Sequence, residues 1–244
     1  MIPFSSEQRF LVAGASSGIG EGVALRLNEL GATVIGIARN MERLEGMKAK
    51  AKYPENVFLE QKNLTDDLAG LPQYIKSLRE KYGKLNGLAY CAGIVPVLPL
   101  RVLEADVLYD AFLINYAVPI MMAKGIADKR NNVGAGTSCV FISSVASVLS
   151  DKGHVVYSGT KAALAASVRS IAKEYASSRI RFNCVSPSNI RTERTTEEYV
   201  STQIDQYPMG FGETIDVANV ITLLLSDETK WITAQNYVVD CSSF

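Results

Sequence analysis

Apolar, β-branched runs alternate along this chain with segments whose apolar positions recur at helical spacing. FLVAGA at 10–15 is followed by a helical stretch to Leu30, TVIGIA at 33–38 by a Met-, Leu- and Lys-rich one over 41–52, and NVFLE at 56–60 by one over 66–82. The alternation continues through LNGLAYCA at 85–92, a long helical region over 102–129, SCVFIS at 138–143, a helix over 157–177, IRFNCVSP at 180–187 and NYVVD at 236–240. Strands this apolar are buried on both faces, and strands separated by helices pair in parallel. The pattern therefore predicts an α/β fold with a doubly wound, seven-stranded parallel sheet. No repeat or flexible linker divides the chain, so a single domain over 1–244 is expected. The main insertions, 93–101 and 191–213, each follow a strand, and ligands bind outside the carboxyl ends of such strands. The second is read as a substrate lid over about 193–212, in which Glu193, Arg194, Glu197, Glu198 and Asp205 stand beside Tyr199, Tyr207, Met209 and Phe211.

Composition narrows the chemistry. Lys plus Arg and Asp plus Glu are 25 each, so nothing pulls the chain as a whole toward nucleic acid or an anionic membrane. Cys91, Cys139, Cys184 and Cys241 are widely spread and there is one histidine, which leaves no spacing for a zinc site, and no metal is expected. Free thiols suit a reducing compartment. The N-terminus has no basic region followed by an apolar one, and the longest charge-free stretches are broken by Gly, Pro, Asn and Ser. The expectation is a soluble cytoplasmic protein.

Directly after the first strand stands Ala13-Gly14-Ala15-Ser16-Ser17-Gly18-Ile19-Gly20, and a helix follows at once. Glycines in a strand–turn–helix unit permit a tight turn and let a pyrophosphate approach backbone N–H groups at the positive helix end. Sites for NAD commonly add Asp or Glu at the end of the second strand, where it binds the adenosine ribose. Here no acid lies between Glu29 and Glu42, and the strand runs into Arg39, whose guanidinium suits a 2′-phosphate. NADP(H) is favoured over NAD(H); the alternative is that Arg39 is a solvated residue after a strand.

Tyr157 and Lys161, four apart at the start of an alanine-rich helix, emerge from one face. An ammonium about 4 Å from a phenol favours phenolate by about three pK units at an effective dielectric of 20. That spacing predicts a tyrosine drawn toward neutrality as a general acid/base. Ser144, thirteen residues earlier at a strand's carboxyl end, is placed to hold a substrate oxygen, with Ser143 and Ser147 as competitors. His154 is a loop residue of the pocket lining. Asn115 lies mid-helix four residues before Pro119, which has no N–H to give it, so its carbonyl is expected to hold a water in contact with Lys161.

Together these residues resemble the short-chain dehydrogenase/reductase family, in its compact single-domain branch and near its 3-oxoacyl-ACP reductase-like members. Its T-G-x-x-x-G-x-G turn is matched by Ala13 to Gly20, its N-N-A-G by Tyr90-Cys91-Ala92-Gly93, and its P-G-x-I-x-T by Pro187 to Thr192. The catalytic Asn-Ser-Tyr-Lys set is matched by Asn115, Ser144, Tyr157 and Lys161. The resemblance implies a sheet order of 3-2-1-4-5-6-7. It also implies a dinucleotide held by Gly14, Ser16, Ser17, Gly18, Ile19, Gly20, Arg39, Asn63, Leu64, Cys91, Ala92, Gly93, Pro187, Ile190 and Thr192 together with Tyr157 and Lys161. A homodimer or homotetramer built through the two long helices and the C-terminal strand is implied too, with Ala162, Ala163, Ala165 and Ala166 allowing close helix approach. Ala13, Tyr90-Cys91, Ser188 and the Asp240-Cys241-Ser242 segment depart from the pattern and bear on cofactor affinity.

The expected activity is an NADPH-dependent carbonyl reductase, reversible in principle, acting on a small-molecule ketone or secondary alcohol, with a 3-oxoacyl thioester among the candidates. The alternatives are a non-catalytic NADP(H)-binding sensor or scaffold and an NAD-dependent sugar or polyol dehydrogenase.

Overall fold

A computed structural model describes residues 3–193 and 195–242; Arg194 of the expected lid lies outside them. The strands are β1 (Arg9–Ala13), β2 (Thr33–Ala38), β3 (Val57–Gln61), β4 (Gly87–Tyr90), β5 (Ser138–Ile142), β6 (Arg181–Pro187), β7 (Ile190–Arg191), β8 (Gly212–Glu213) and β9 (Asn236–Val239). The helices are α1 (Gly18–Glu29), α2 (Met41–Ala49), α3 (Leu71–Tyr82), α4 (Ala105–Phe112), α5 (Val118–Ala127), α6 (Val155–Tyr175), α7 (Glu197–Gln203) and α8 (Thr214–Leu225). Seven strands form one sheet in the order β3-β2-β1-β4-β5-β6-β9, every pair parallel. With β9 as its seventh strand, this is the doubly wound sheet that the sequence pattern predicts.

The period of two along a strand divides the core. Leu11 and Ala13 of β1 join Ile35 and Ile37 of β2 under α3, α5 and α6, whose Ile75, Met122 and Leu164 are fully buried. Phe10 and Val12 face the other way, onto α1, α2 and α8 through Val23, Leu27, Leu44 and Ile221. Each layer removes many large apolar side chains from water, at about 1.5–3 kcal/mol for a fully buried one. Ala165 lies in this core, so of the four alanines named above it faces the chain's own sheet and only Ala162 and Ala166 are exposed.

Three elements differ from expectation. The region 102–129 is not one α-helix: α4 gives way to a π turn, Leu113–Ala117, in which the Val118 N–H reaches back to the Leu113 carbonyl, before α5 begins. Pro119 explains it, because a residue without an N–H cannot continue the i+4 ladder. α8 was not singled out, yet it packs on α1 with Val217, Ala218, Ile221, Leu224 and Leu225 buried. The polar segment after β6 is not structureless: β7 pairs with β8 across it and α7 lies between them. Among the described residues the run Ala105–Ala127 is long and apolar enough by length and composition to cross a membrane. Its α5 half places Val118, Met122 and Ile126 in the core.

Candidate active site

A cleft of about 1010 Å³ opens at the carboxyl ends of β1, β2 and β4. Its floor is the glycine turn. Gly14 has φ +85°, and a Cβ there would lie 2.8 Å from the Ala92 backbone nitrogen. A Cβ on Gly20 would lie 2.1 Å from the Gly14 carbonyl oxygen. These positions admit only hydrogen, and α1 thereby starts against the end of β4. Ser17 is the N-cap of α1 but makes no side-chain capping bond, so the first-turn N–H groups are left for an anion. Where the family pattern has Thr and Asn, this chain has Ala13 and Tyr90-Cys91, and the Cys91 N–H continues the β1–β4 ladder onto the Ala13 carbonyl at 2.9 Å. Tyr90 is fully buried and its hydroxyl donates to the Ile114 carbonyl at 2.6 Å.

Of the residues expected to hold a dinucleotide, Gly14, Ser16, Ser17, Gly18, Ile19, Gly20, Arg39, Asn63, Leu64, Cys91, Ala92, Gly93 and Thr192 line the cleft. Pro187, Ile190, Tyr157 and Lys161 are not part of that lining: Pro187 pairs with Val239 on β9, Ile190 with Gly212 on β8, and Tyr157 and Lys161 stand on α6. Arg43, Lys62 and Glu193 also line it and were missed. Arg43 sits one turn beyond Arg39, where the side chain of Asn40 caps α2 by accepting from the Arg43 N–H at 2.9 Å. Its guanidinium lies 3.3 Å from the Glu193 carboxylate, both half exposed, so this ion pair spans the cleft mouth from α2 to the expected lid. The one available signal is the spacing of Arg39 and Arg43; nothing in the sequence pairs Arg43 with Glu193.

Gly93 links the cleft to a buried polar group. A Cβ on it would meet Asn115 Oδ1 at 2.8 Å and Lys161 Nζ at 3.6 Å. Asn115, fully buried on the π turn, accepts from the Ile94 N–H at 2.9 Å and donates to the Ile94 carbonyl at 2.9 Å and to Thr160 Oγ1 at 3.2 Å. Its amide thus fastens the loop after β4 to α6.

The three candidate serines separate cleanly. The Ser143 hydroxyl donates to the Lys161 carbonyl at 3.0 Å and is used in packing. Ser144 Oγ accepts from the Ala146 N–H at 3.1 Å and is the neighbour that draws the Tyr157 pKa down. Ser147 Oγ is buried without a partner among the described residues.

The Tyr157–Lys161 pair differs from expectation in one respect. Lys161 is almost wholly buried, and its Nζ donates to the Ile142 carbonyl at 2.8 Å, 5.8 Å from the centre of the Tyr157 ring. Burial lowers the Lys161 pKa to about 8, opposed by the Cys184 and Cys91 thiols. Burial likewise raises the Tyr157 pKa, and it is Ser144 that pulls it back. Desolvation therefore sets the direction of both shifts, and the lysine's head bonds a strand-end carbonyl rather than the phenol.

The chain resembles known proteins over nearly its whole length. A family model described as Enoyl-(Acyl carrier protein) reductase matches residues 14–241. The chain is 32% identical over 241 residues to the 3-oxoacyl-(acyl-carrier-protein) reductase of Thermotoga maritima, covering 94% of this chain and 95% of that one. It is 28% identical over 241 residues to the L-xylulose reductase of Caenorhabditis elegans, covering 96% and 95%. A solved short-chain type dehydrogenase/reductase from Mycobacterium ulcerans superposes with a TM-score of 0.89 at 27% identity, covering 99% of this chain and 91% of that one. A uniformly parallel sheet, a glycine turn closed on β4 and a match across nearly the whole chain therefore have one explanation: this chain belongs to the short-chain dehydrogenase/reductase family, oxidoreductases that interconvert alcohols and carbonyl compounds with NAD(P).

Proposed function

We propose that this protein is an NADPH-dependent carbonyl reductase acting on a small ketone, with Tyr157 as the proton donor. The observation that carries this reading is a cleft shaped for a dinucleotide: its Gly14 and Gly20 positions exclude any side chain, the first-turn N–H groups of α1 are left for an anion, and Gly93 in its lining stands against Lys161, one turn from Tyr157 on α6. The cleft residues fit a dinucleotide: Ser16 to Gly20 take the pyrophosphate, Asn63 and Leu64 the adenine end, and Cys91 to Gly93 with Thr192 the nicotinamide half. When bound, the nicotinamide supplies the hydride.

The chain's own residues do the rest. Ser144 holds and polarises the substrate carbonyl at its oxygen, as an oriented donor in a water-poor site does. Tyr157, kept protonated by burial, releases its phenolic proton to that oxygen as negative charge builds there. Lys161, whose head lies against Gly93, holds the ribose of the nicotinamide half and supplies the positive charge that stabilises phenolate once the proton has left. Asn115 keeps Ile94 and Thr160 in register, and its main-chain carbonyl holds the water through which the proton is replaced.

NADPH is preferred because Arg39, Arg43 and Lys62 surround the end of β2, which itself carries no acid, and of the three Arg43 is shared with Glu193. The exposed Tyr109 and Phe112 of α4, with Ala162 and Ala166 of α6, support a dimer or tetramer of this chain. The test is NADPH oxidation across 3-oxoacyl thioesters, keto sugars and small ketones, with Tyr157→Phe as control. Turnover lost in the variant while NADPH still binds is the expected result. Tight NADPH binding without turnover of any compound would move the reading to a sensor or scaffold.

A further inference from the structure

The turn that follows β7 is held together by its own atoms. The Thr192 N–H donates to Thr195 Oγ1 at 3.0 Å, the Thr195 N–H returns to the Thr192 carbonyl at 2.9 Å, and Thr195 Oγ1 donates to the Ile190 carbonyl at 3.2 Å. Arg191 adds ion pairs to Glu197 of α7 at 3.0 Å and to Glu213 of β8 at 3.7 Å. This strap, running from Ile190 into α7, therefore keeps its own shape and can move as a unit. It meets the rest of the cleft at two points. A Cβ on Gly18 would lie 3.4 Å from Thr192 Cγ2, so the strap lies against the glycine turn, and the Glu193 carboxylate stands 3.3 Å from the Arg43 guanidinium of α2.

Glu193 stands in a positive field. Lys50, two turns beyond Arg43, bonds Glu21 of α1 at 2.7 Å and is held above the ordinary lysine range chiefly by Glu21, with Glu193 a smaller contributor. Arg39, Arg43 and Lys62 line the cleft together with Glu193, so the cations that suit a 2′-phosphate already have an internal anion among them. Arg43 and Glu193 are both half exposed, and an exposed pair of this kind is weak and screened by salt. A phosphate dianion makes stronger charge-assisted bonds to a guanidinium and, once there, repels a neighbouring carboxylate. A ribose hydroxyl at the same place does neither.

We infer that the Arg43–Glu193 pair is a latch that holds the strap shut against the cleft, and that only a nucleotide carrying a 2′-phosphate releases it. This rests on the reading of the cleft as a dinucleotide site whose adenosine end reaches Arg39 and Arg43. With NADP(H) the phosphate takes Arg43, Glu193 is expelled, and the strap loosens together with α7. With NAD(H) the pair persists and the strap stays shut, so the identity of the cofactor sets access to the cleft. The coupling is reciprocal: as the phosphate opens the latch, loss of the latch favours the phosphate.

The test uses NADP⁺ and NAD⁺, which differ only in that phosphate and bind without turnover. Amide hydrogen exchange of α7 is followed in the full chain with each nucleotide at saturation and low salt. The α7 amides of the parent are expected to exchange about threefold faster with NADP⁺ than with NAD⁺, and the difference is expected to vanish in Glu193→Gln, where the strap is unlatched under both. Calorimetric titration completes a cycle: Glu193→Gln should tighten NADP⁺ about threefold and leave NAD⁺ unchanged, and in an Arg43→Ala background it should change neither. Equal exchange with both nucleotides in the parent overturns the latch, as does slower exchange with NADP⁺ or an affinity gain that survives without Arg43. The parent's two affinities decide the cofactor reading separately. A preference for NADP⁺ with equal exchange keeps that reading and discards the latch; equal affinities with faster exchange under NADP⁺ keep the latch and discard the NADPH preference. Binding of neither nucleotide overturns both.

Discussion

Lys161 Nζ donates to the carbonyl of Ile142, 2.8 Å away, at the carboxyl end of β5. The lysine is therefore held by the sheet before any ligand arrives, and its charge carries a desolvation cost. The folded pKa of about 8 lies below the ordinary value of 10.5, so between those pH values the unfolded chain binds more protons and stability rises with pH. The penalty is fully present below about pH 8, where it amounts to about 3 kcal/mol, and is gone above about pH 10.5. Urea unfolding of cofactor-free protein should show Lys161→Met gaining stability relative to the parent at pH 7, with the gap narrowing by pH 9.5. A gap that does not change with pH would mean that the lysine is not desolvated as described.

Asn115 is expected to matter for the architecture of the cleft as well as for chemistry. Asn115→Ala removes three hydrogen bonds from a fully buried site and leaves both polar groups of Ile94 without these partners. A loss of about 2–4 kcal/mol follows, together with weaker dinucleotide binding, because the loop carrying Gly93 is no longer fastened to α6. Asn115→Asp should not rescue it, since a carboxylate lacks the Nδ2 donors. Chemical denaturation and nucleotide titration of both variants check this.

Gly20→Ala brings a methyl group to 2.1 Å from the Gly14 carbonyl oxygen, which is main chain and cannot swing aside. The turn must open, so dinucleotide binding should be lost along with about 3 kcal/mol of stability. Gly46, whose Cβ would meet nothing within 4 Å, is the control: Gly46→Ala on α2 should stabilise by about 0.5–1 kcal/mol. Thermal unfolding with and without NADPH distinguishes the two.

Arg39→Ala should lower the ratio of NADPH to NADH affinity about 10- to 100-fold by removing a charge-assisted contact to the 2′-phosphate. Glu193→Gln should raise that ratio, because it frees the Arg43 guanidinium from the ion pair at 3.3 Å, and the gain should fade in high salt. Calorimetric titration of both nucleotides at two ionic strengths gives the answer. An unchanged ratio in both variants would remove the basis for an NADPH preference.

The site was unevenly legible. Tyr157 and Lys161 could be paired from their spacing because a helix fixes which residues share a face within a turn. The strands could be found because parallel strands buried on both sides read as apolar runs, and Phe10 to Ala13 and Thr33 to Ala38 are buried without exception. α8 escaped because IDVANVITLLL is so apolar and β-branched that its helical period is obscured. The π turn was half visible: Pro119 signalled a break in the ladder, but not that the chain would widen by one residue instead of kinking.

The sequence by itself determined the alternation of strands and helices, the glycine turn after β1 and the set of chemically able side chains, since each depends on neighbours a few residues away. Only the tertiary structure decided that Ser144 rather than Ser143 meets Tyr157, that Lys161 is tied to Ile142, and that Arg43 faces Glu193 across the cleft. The reason is physical: hydrogen bonds, ion pairs and desolvation between residues 13 to 150 positions apart depend on where the packed sheet places them, and local periodicity carries no record of those distances.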